Sequence, residues 1–212
     1  MKNSTINYYD LNAKKYLDST INIKVSEELE NFCLNLKPGA KILDVGCGSG
    51  RDSLHFIQNG FNVVSIDASS ELAKLASEQI KQQVIVKKIE DLDFKNEFDA
   101  VWCMASLLHL KKEALPLAIN NCIKALKSES EGLFFASFKN GNGSAYDENG
   151  RFFSYYQQEE LKEILEQTQC FKNIEFTSNK DKLGRNDVNW ISFIAQKKYD
   201  LNLENKSKTK PI

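Results

Sequence analysis

Apolar residues recur along this chain with two different periods. Over residues 7–18, Tyr9, Ala13 and Tyr16 fall at i, i+4 and i+7, one face of a short helix. Val25, Leu29, Phe32, Cys33 and Leu36 repeat that spacing more strongly, and Pro38-Gly39 stops the second helix. From there the pattern alternates. Short apolar runs at 41–46, 62–67, 84–89, 98–104 and 132–138 read as buried strands. Between them lie helical stretches: one after residue 50 closed by Gly60, and one with Leu72, Leu75, Ala76 and Ile80 on one face and Ser69 as N-cap. A further helix carries Leu115, Ala118, Cys122, Ile123 and Leu126, with Pro116 tolerated in its first turn. Strands alternating with helices predict an α/β fold with a parallel, doubly wound sheet.

After residue 139 the rhythm changes. "KNGNGSAYDENG" reads as a polar loop, and a helix is expected around 156–168. Two strands near 171–178 and 189–197 have no helix between them, so they should pair antiparallel. Residues 199–212 are polar and Lys-rich and read as a flexible tail, leaving 1–198 as a single domain.

Composition narrows the function classes. With 42 % hydrophobic residues in 212, the chain suits one globular domain. Its formal net charge of −1 provides no basic field for nucleic acid or an anionic membrane. No apolar run approaches the ~20 residues of a membrane span. The N-terminus lacks the apolar core of a secretory signal, which points to a cytoplasmic protein. The 5 cysteines form no C-x-x-C pair, and the 2 histidines are far apart; neither a disulfide framework nor a metal centre is expected.

The chemistry concentrates in "ILDVGCGSGRDS", residues 42–53. A glycine-rich turn between a strand and a helix lets the backbone approach a ligand closely. The dinucleotide fingerprint is G-x-G-x-x-G, but Gly46, Gly48 and Gly50 are followed by Arg51 where its packing glycine would stand. No G-K-[ST] follows, so this is not a P-loop. Asp44, just before the turn, would repel a phosphate and suit a cationic amine. Asp67, at the end of the second strand, can accept both hydroxyls of a ribose or cap the next helix. A ligand with a ribose and an amine but no required phosphate is implied, and S-adenosylmethionine fits that description.

The order "ILDVGCGSGRDS…GFNVVSIDASSELAKLA…FDAVWCMASLLHL" resembles class I S-adenosylmethionine-dependent methyltransferases. It resembles in particular the small bacterial members grouped with tellurite-resistance methyltransferases. "YDLNAKKY" resembles their N-terminal segment over the cofactor; "FKNGNG…NGRFF" and "WISFIAQKK" resemble their C-terminal part, so the likeness runs over about residues 8 to 197. The resemblance implies a Rossmann-like sheet of seven strands with the last antiparallel, helices on both faces, and a helical lid over about 7–36. It implies a cofactor site comprising Tyr16, Asp44, Gly46, Cys47, Gly48, Gly50, Arg51, Asp67, Ala68, Ile89, Glu90, Cys103 and Met104. Relatives often carry an acid after the third strand that meets adenine; Lys88 stands there, with Glu90 and Asp91 beside it.

Candidate catalytic residues are those beyond the fourth and fifth strands: His109, Lys139 and Arg151. His109 reads equally as a base or a helix cap. Tyr9 and Tyr16 read equally as lid or packing residues. Asp52 reads as ordinary dipole compensation, Arg51 as a solvated cation, and His55 as structural or exposed. The 3 prolines include no Asp/Asn-Pro-Pro motif and no Pro-Cys, which argues against nucleic-acid base methylation. A small-molecule or small-anion acceptor is therefore expected, on a monomer or weak homodimer without membrane contact. An enzyme acting on RNA or protein, or a catalytically silent cofactor-binding module, remain the alternatives.

Overall fold

A computed structural model describes residues 4–128, 130–180 and 188–199. Its chain order is α1 (Ser4–Thr20), α2 (Glu27–Leu34), β1 (Lys41–Val45), α3 (Arg51–Gln58), β2 (Asn62–Asp67), α4 (Ser70–Ile80), β3 (Ile85–Val86), β4 (Ala100–Cys103), α5 (Leu115–Ala125), β5 (Leu133–Lys139), β6 (Ser144–Tyr146), β7 (Phe152–Ser154), α6 (Gln158–Gln167), β8 (Phe171–Lys180) and β9 (Asn189–Lys197). Seven strands form one sheet in the order β3-β2-β1-β4-β5-β9-β8. The first five run parallel, and β9, the last in the chain, lies antiparallel between β5 and β8. The predicted seven-stranded, doubly wound sheet is borne out.

Both faces of the sheet are covered, and side-chain alternation sorts the strands' residues between them. Ile42, Ala100, Trp102, Leu133 and Phe135 face α2 and α3, packing on Leu29, Phe32 and Phe56. Their neighbours Leu43, Val45, Val101, Cys103, Phe134 and Ala136 face the opposite way, in a core shared with α5 and α6. The register sets Asp44 opposite Ser65 on β2 and Trp102 on β4. The C-terminal ends of the central strands therefore open at one edge, where the glycine turn begins.

Three expectations are corrected. The third strand is not 84–89 but only Ile85–Val86, because Ile89–Asp91 winds into a 3-10 turn. The polar stretch after residue 139 is not a plain loop; β6 lies within it and pairs antiparallel with β7 just beyond it. The first helix is longer than 7–18 and kinked at Asn12. The expected tail lies, from residue 200 onward, outside the described residues.

Candidate active site

The turn between β1 and α3 is tied to β2 by amides of Gly46 and Cys47, which both donate to the Ile66 carbonyl. Its three glycines have left-handed φ of +75°, +58° and +78°, a conformation side chains resist. Each also admits a different neighbour. A Cβ on Gly46 would stand 2.5 Å from Ser106 Cβ, one on Gly48 3.1 Å from the Tyr16 ring, and one on Gly50 2.9 Å from Ile80 Cγ2. Gly50 is thus the glycine that lets α4 pack against the turn, and it does not line the cavity described below.

Three carboxylates surround this turn, each held differently. Asp67, at the end of β2, is buried; its Oδ2 accepts the Gly48 amide at 2.9 Å and its Oδ1 the Ser69 amide at 2.8 Å. Burial raises its pKa, and the two amides pull it back. The N-cap of α4 is Ser69, as predicted, accepting from the Leu72 amide. Asp44 is buried and accepts 2.6 Å from Ser53 Oγ. Burial first, then the nearby Asp52 charge, pushes its pKa up to about 8. Asp52 is not a solvated helix-start acid. It is buried, accepts the Trp102 indole Nε1–H at 2.9 Å, and pairs with Arg51 Nε at 2.7 Å. Arg51 is accordingly not a free solvated cation.

Beyond the turn lie two adjoining chambers of ≈ 480 Å³ and ≈ 110 Å³ that share part of their lining. The smaller is lined by Asp67, Ala68, Lys88, Ile89 and Glu90. The larger is lined by Asp44, Cys47, Arg51, Lys139 and Arg151, with aromatic walls that include Phe153 and Trp190. Tyr9, Tyr16, Gly46, Gly48, Met104 and His109 line both and stand at their junction. Of the predicted site residues, Gly50 and Cys103 are not brought to either chamber; Cys103 is sealed in the core behind β4. Among the described residues no cluster of His, Cys, Asp or Glu fits a metal ion.

The roof is built from α1 and the β6–β7 hairpin. Thr5 Oγ1 accepts the Phe152 amide at 2.9 Å, joining the two. Asp10 Oδ1 accepts from Ser69 Oγ at 2.7 Å, tying α1 to the start of α4 beside Asp67. His109 stands beneath this roof. Its Nδ1 lies 2.7 Å from the Phe152 carbonyl and its Nε2 3.0 Å from Tyr9 Oη. Burial holds its pKa down to about 4. Arg151 bonds Asp147 and lies against Tyr8, its guanidinium carbon 4.9 Å from the ring centre. Lys139 sits over the Phe153 ring at 3.5 Å. Sequence reading found His109, Lys139 and Arg151 but missed Thr5, Tyr8, Asp10 and Asp147. Their only signal was the unusual "YYD" in a thin helix and the acid four residues before Arg151.

Residues 42–129 match the family model of a methyltransferase domain. A Ubiquinone biosynthesis O-methyltransferase of Xanthomonas campestris pv. campestris is 37 % identical over 107 residues, 47 % of this chain and 44 % of that protein. The chain thus spans about half the length of the curated relatives it matches. The 1,6-didemethyltoxoflavin-N1-methyltransferase of Burkholderia thailandensis, solved with 1,6-didemethyltoxoflavin and S-adenosylhomocysteine, superposes with a TM-score of 0.70 at 20 % identity, covering 91 % of this chain and 87 % of its own. TehB of Haemophilus influenzae superposes with a TM-score of 0.68 at 19 % identity, covering 90 % and 67 %. The fold is that of class I methyltransferases.

Proposed function

Taking residues 42–129 as a methyltransferase domain on a class I fold, we propose that the chain transfers a methyl group from S-adenosylmethionine to a small-molecule acceptor. Asp67 carries this reading. Its two oxygens are pinned by backbone amides, each keeps a lone pair for a ribose hydroxyl, and it faces the smaller chamber at the C-terminal end of a parallel strand. The donor set fits the cofactor: the turn at Gly46 and Gly48 supplies close backbone approach, and Asp44 can answer a cationic amine. Ile89 and Glu90 flank the smaller chamber where an adenine would lie.

When bound, the cofactor supplies a methyl group on a sulfonium, a leaving group already activated. The protein's part is then orientation and exclusion of water. Tyr9, Tyr16 and Met104 bracket the junction of the two chambers, and α1 with the hairpin closes the larger one from above. That roof supports a small acceptor over an RNA or protein chain.

Calorimetry tests the reading. S-adenosylhomocysteine should bind and NAD should not. Asp67→Ala removes two hydrogen bonds to a charged acceptor, each worth about 1.5–3 kcal/mol, so affinity should fall at least about tenfold. Full affinity in that variant would reject the assignment.

A further inference from the structure

His109 has no nitrogen left for a substrate. The Phe152 carbonyl can only accept, so Nδ1 carries the ring proton and donates across 2.7 Å. In the neutral ring Nε2 is then a bare lone pair, and the only fit across 3.0 Å is for Tyr9 O–H to donate to it. The rings meet edge to face, 5.6 Å apart. With its proton committed to His109, Tyr9 Oη accepts from the Arg151 guanidinium with one lone pair and keeps the other for the cavity, between the two chambers whose lining it shares.

We propose that Tyr9, carried on α1, is the group that meets the acceptor's nucleophilic atom, that His109 is the positioning residue behind it, and that the acceptor is a neutral hydroxyl or amine rather than a preformed anion. This rests on the methyltransferase reading above. A lone pair on Oη accepts a hydrogen bond from X–H and so aims X. An acceptor already ionised has no such proton; to bind it, Tyr9 must turn its own proton away and abandon His109.

The proton path balances. The X–CH3 bond forms as the sulfur–CH3 bond breaks. The X–H proton passes to Tyr9 Oη while the Tyr9 proton passes to His109 Nε2. The imidazolium keeps its Nδ1–H on the Phe152 carbonyl. The cavity loses the sulfonium charge as the imidazolium gains one, so its net charge is unchanged. The charged groups facing His109 are Arg151 and Lys139, which disfavour the imidazolium, and Asp147, which favours it. Arg151 also lowers the Tyr9 pKa against the rise caused by burial.

The test has a readout that needs no turnover. With S-adenosylhomocysteine bound, nitrogen-15 NMR of the histidines should find His109 neutral and protonated on Nδ1. Tyr9→Phe should move the Nε2 resonance to that of an unbonded imine nitrogen, with S-adenosylhomocysteine affinity within about twofold of wild type. Turnover is then compared on catechol and aniline, neutral acceptors, and on benzoate and thiophenolate, preformed anions. The neutral pair should yield S-adenosylhomocysteine, and Tyr9→Phe should lower kcat by about 10²–10⁴-fold with the KM of the methyl donor unchanged. A proton on Nε2, an unchanged kcat in Tyr9→Phe, or methylation confined to the anions would overturn the proposal. Failure of S-adenosylhomocysteine to bind would overturn the methyltransferase reading and this proposal with it. Binding with the reversed tautomer would overturn this proposal alone.

Discussion

At Asp44, burial opposes ionisation, and the residue is kept because something must answer it. Its pKa stands at about 8 in the folded chain, against the ordinary carboxyl value of 3.8. Between those values the folded state holds a proton that the unfolded state has lost, so stability falls as pH rises through that window. Asp44→Asn keeps an oxygen for Ser53 Oγ and removes the titration. It should melt higher than wild type, by a margin that grows from pH 5 to pH 8. Above about pH 8, where the wild-type carboxylate is ionised, it should also bind S-adenosylmethionine more weakly, because the amide offers the cation no counter-charge. Melting curves over that range together with calorimetry check both signs. The neighbouring acid works the other way. Asp52 accepts the indole N–H of Trp102, which stacks on Phe135 at 3.9 Å inside the core. Asp52→Ala orphans that buried donor, a cost of about 1–3 kcal/mol. The melting temperature should drop by roughly 2–4 °C per kcal/mol. Nothing in the spacing of "GRDSL" distinguishes this acid from ordinary first-turn compensation; its partner lies 50 residues away.

Helix α1 buries only Thr5, Ala13 and Leu17 of its 17 residues, and it packs on α4. Its polar ties are few: Asp10 to Ser69 and the first turn of α4, Thr5 to Phe152, Tyr9 to His109. Such an element opens at low cost, as admission of a ligand beneath it requires. Hydrogen exchange should find residues 8–19 weakly protected alone and strongly protected with S-adenosylhomocysteine. Asp10→Ala should raise exchange in both states, and equal protection with and without ligand would reduce α1 to packing. Against α4 the case is rigid. Gly50→Ala meets both a φ of +78° and Ile80 Cγ2 at 2.9 Å, so it should destabilise by roughly 1–3 kcal/mol, seen as a lower denaturant midpoint. At this scale helices were legible because their apolar faces repeat locally. The β6–β7 hairpin was not, since each strand has only three residues and the pairing spans a Gly/Asn-rich turn without strong alternation.

Among the described residues, the exposed large apolar side chains, Leu11, Leu34, Val86, Leu117 and Tyr146, lie on five different elements. None of these five elements exposes a second large apolar side chain among the described residues, and light scattering is expected to find a monomer at micromolar concentration. The sequence by itself determined the strand–helix alternation, the antiparallel finish and the glycine turn. Those properties rest on periodicity and on glycine's access to left-handed backbone, both of which act within a few residues. It also indicated which acids and cations lie past the strand ends, because a parallel sheet sends all such residues to one edge. Only the tertiary structure decided what each of them does. It turned Gly50 and Cys103 away from the cavity, buried Asp52 under Trp102, and spent both nitrogens of His109 on Phe152 and Tyr9. The reason is physical: a hydrogen bond is decided by a distance of about 3 Å, and between residues 43 or 100 positions apart that distance is set by how the elements pack, which no local pattern encodes.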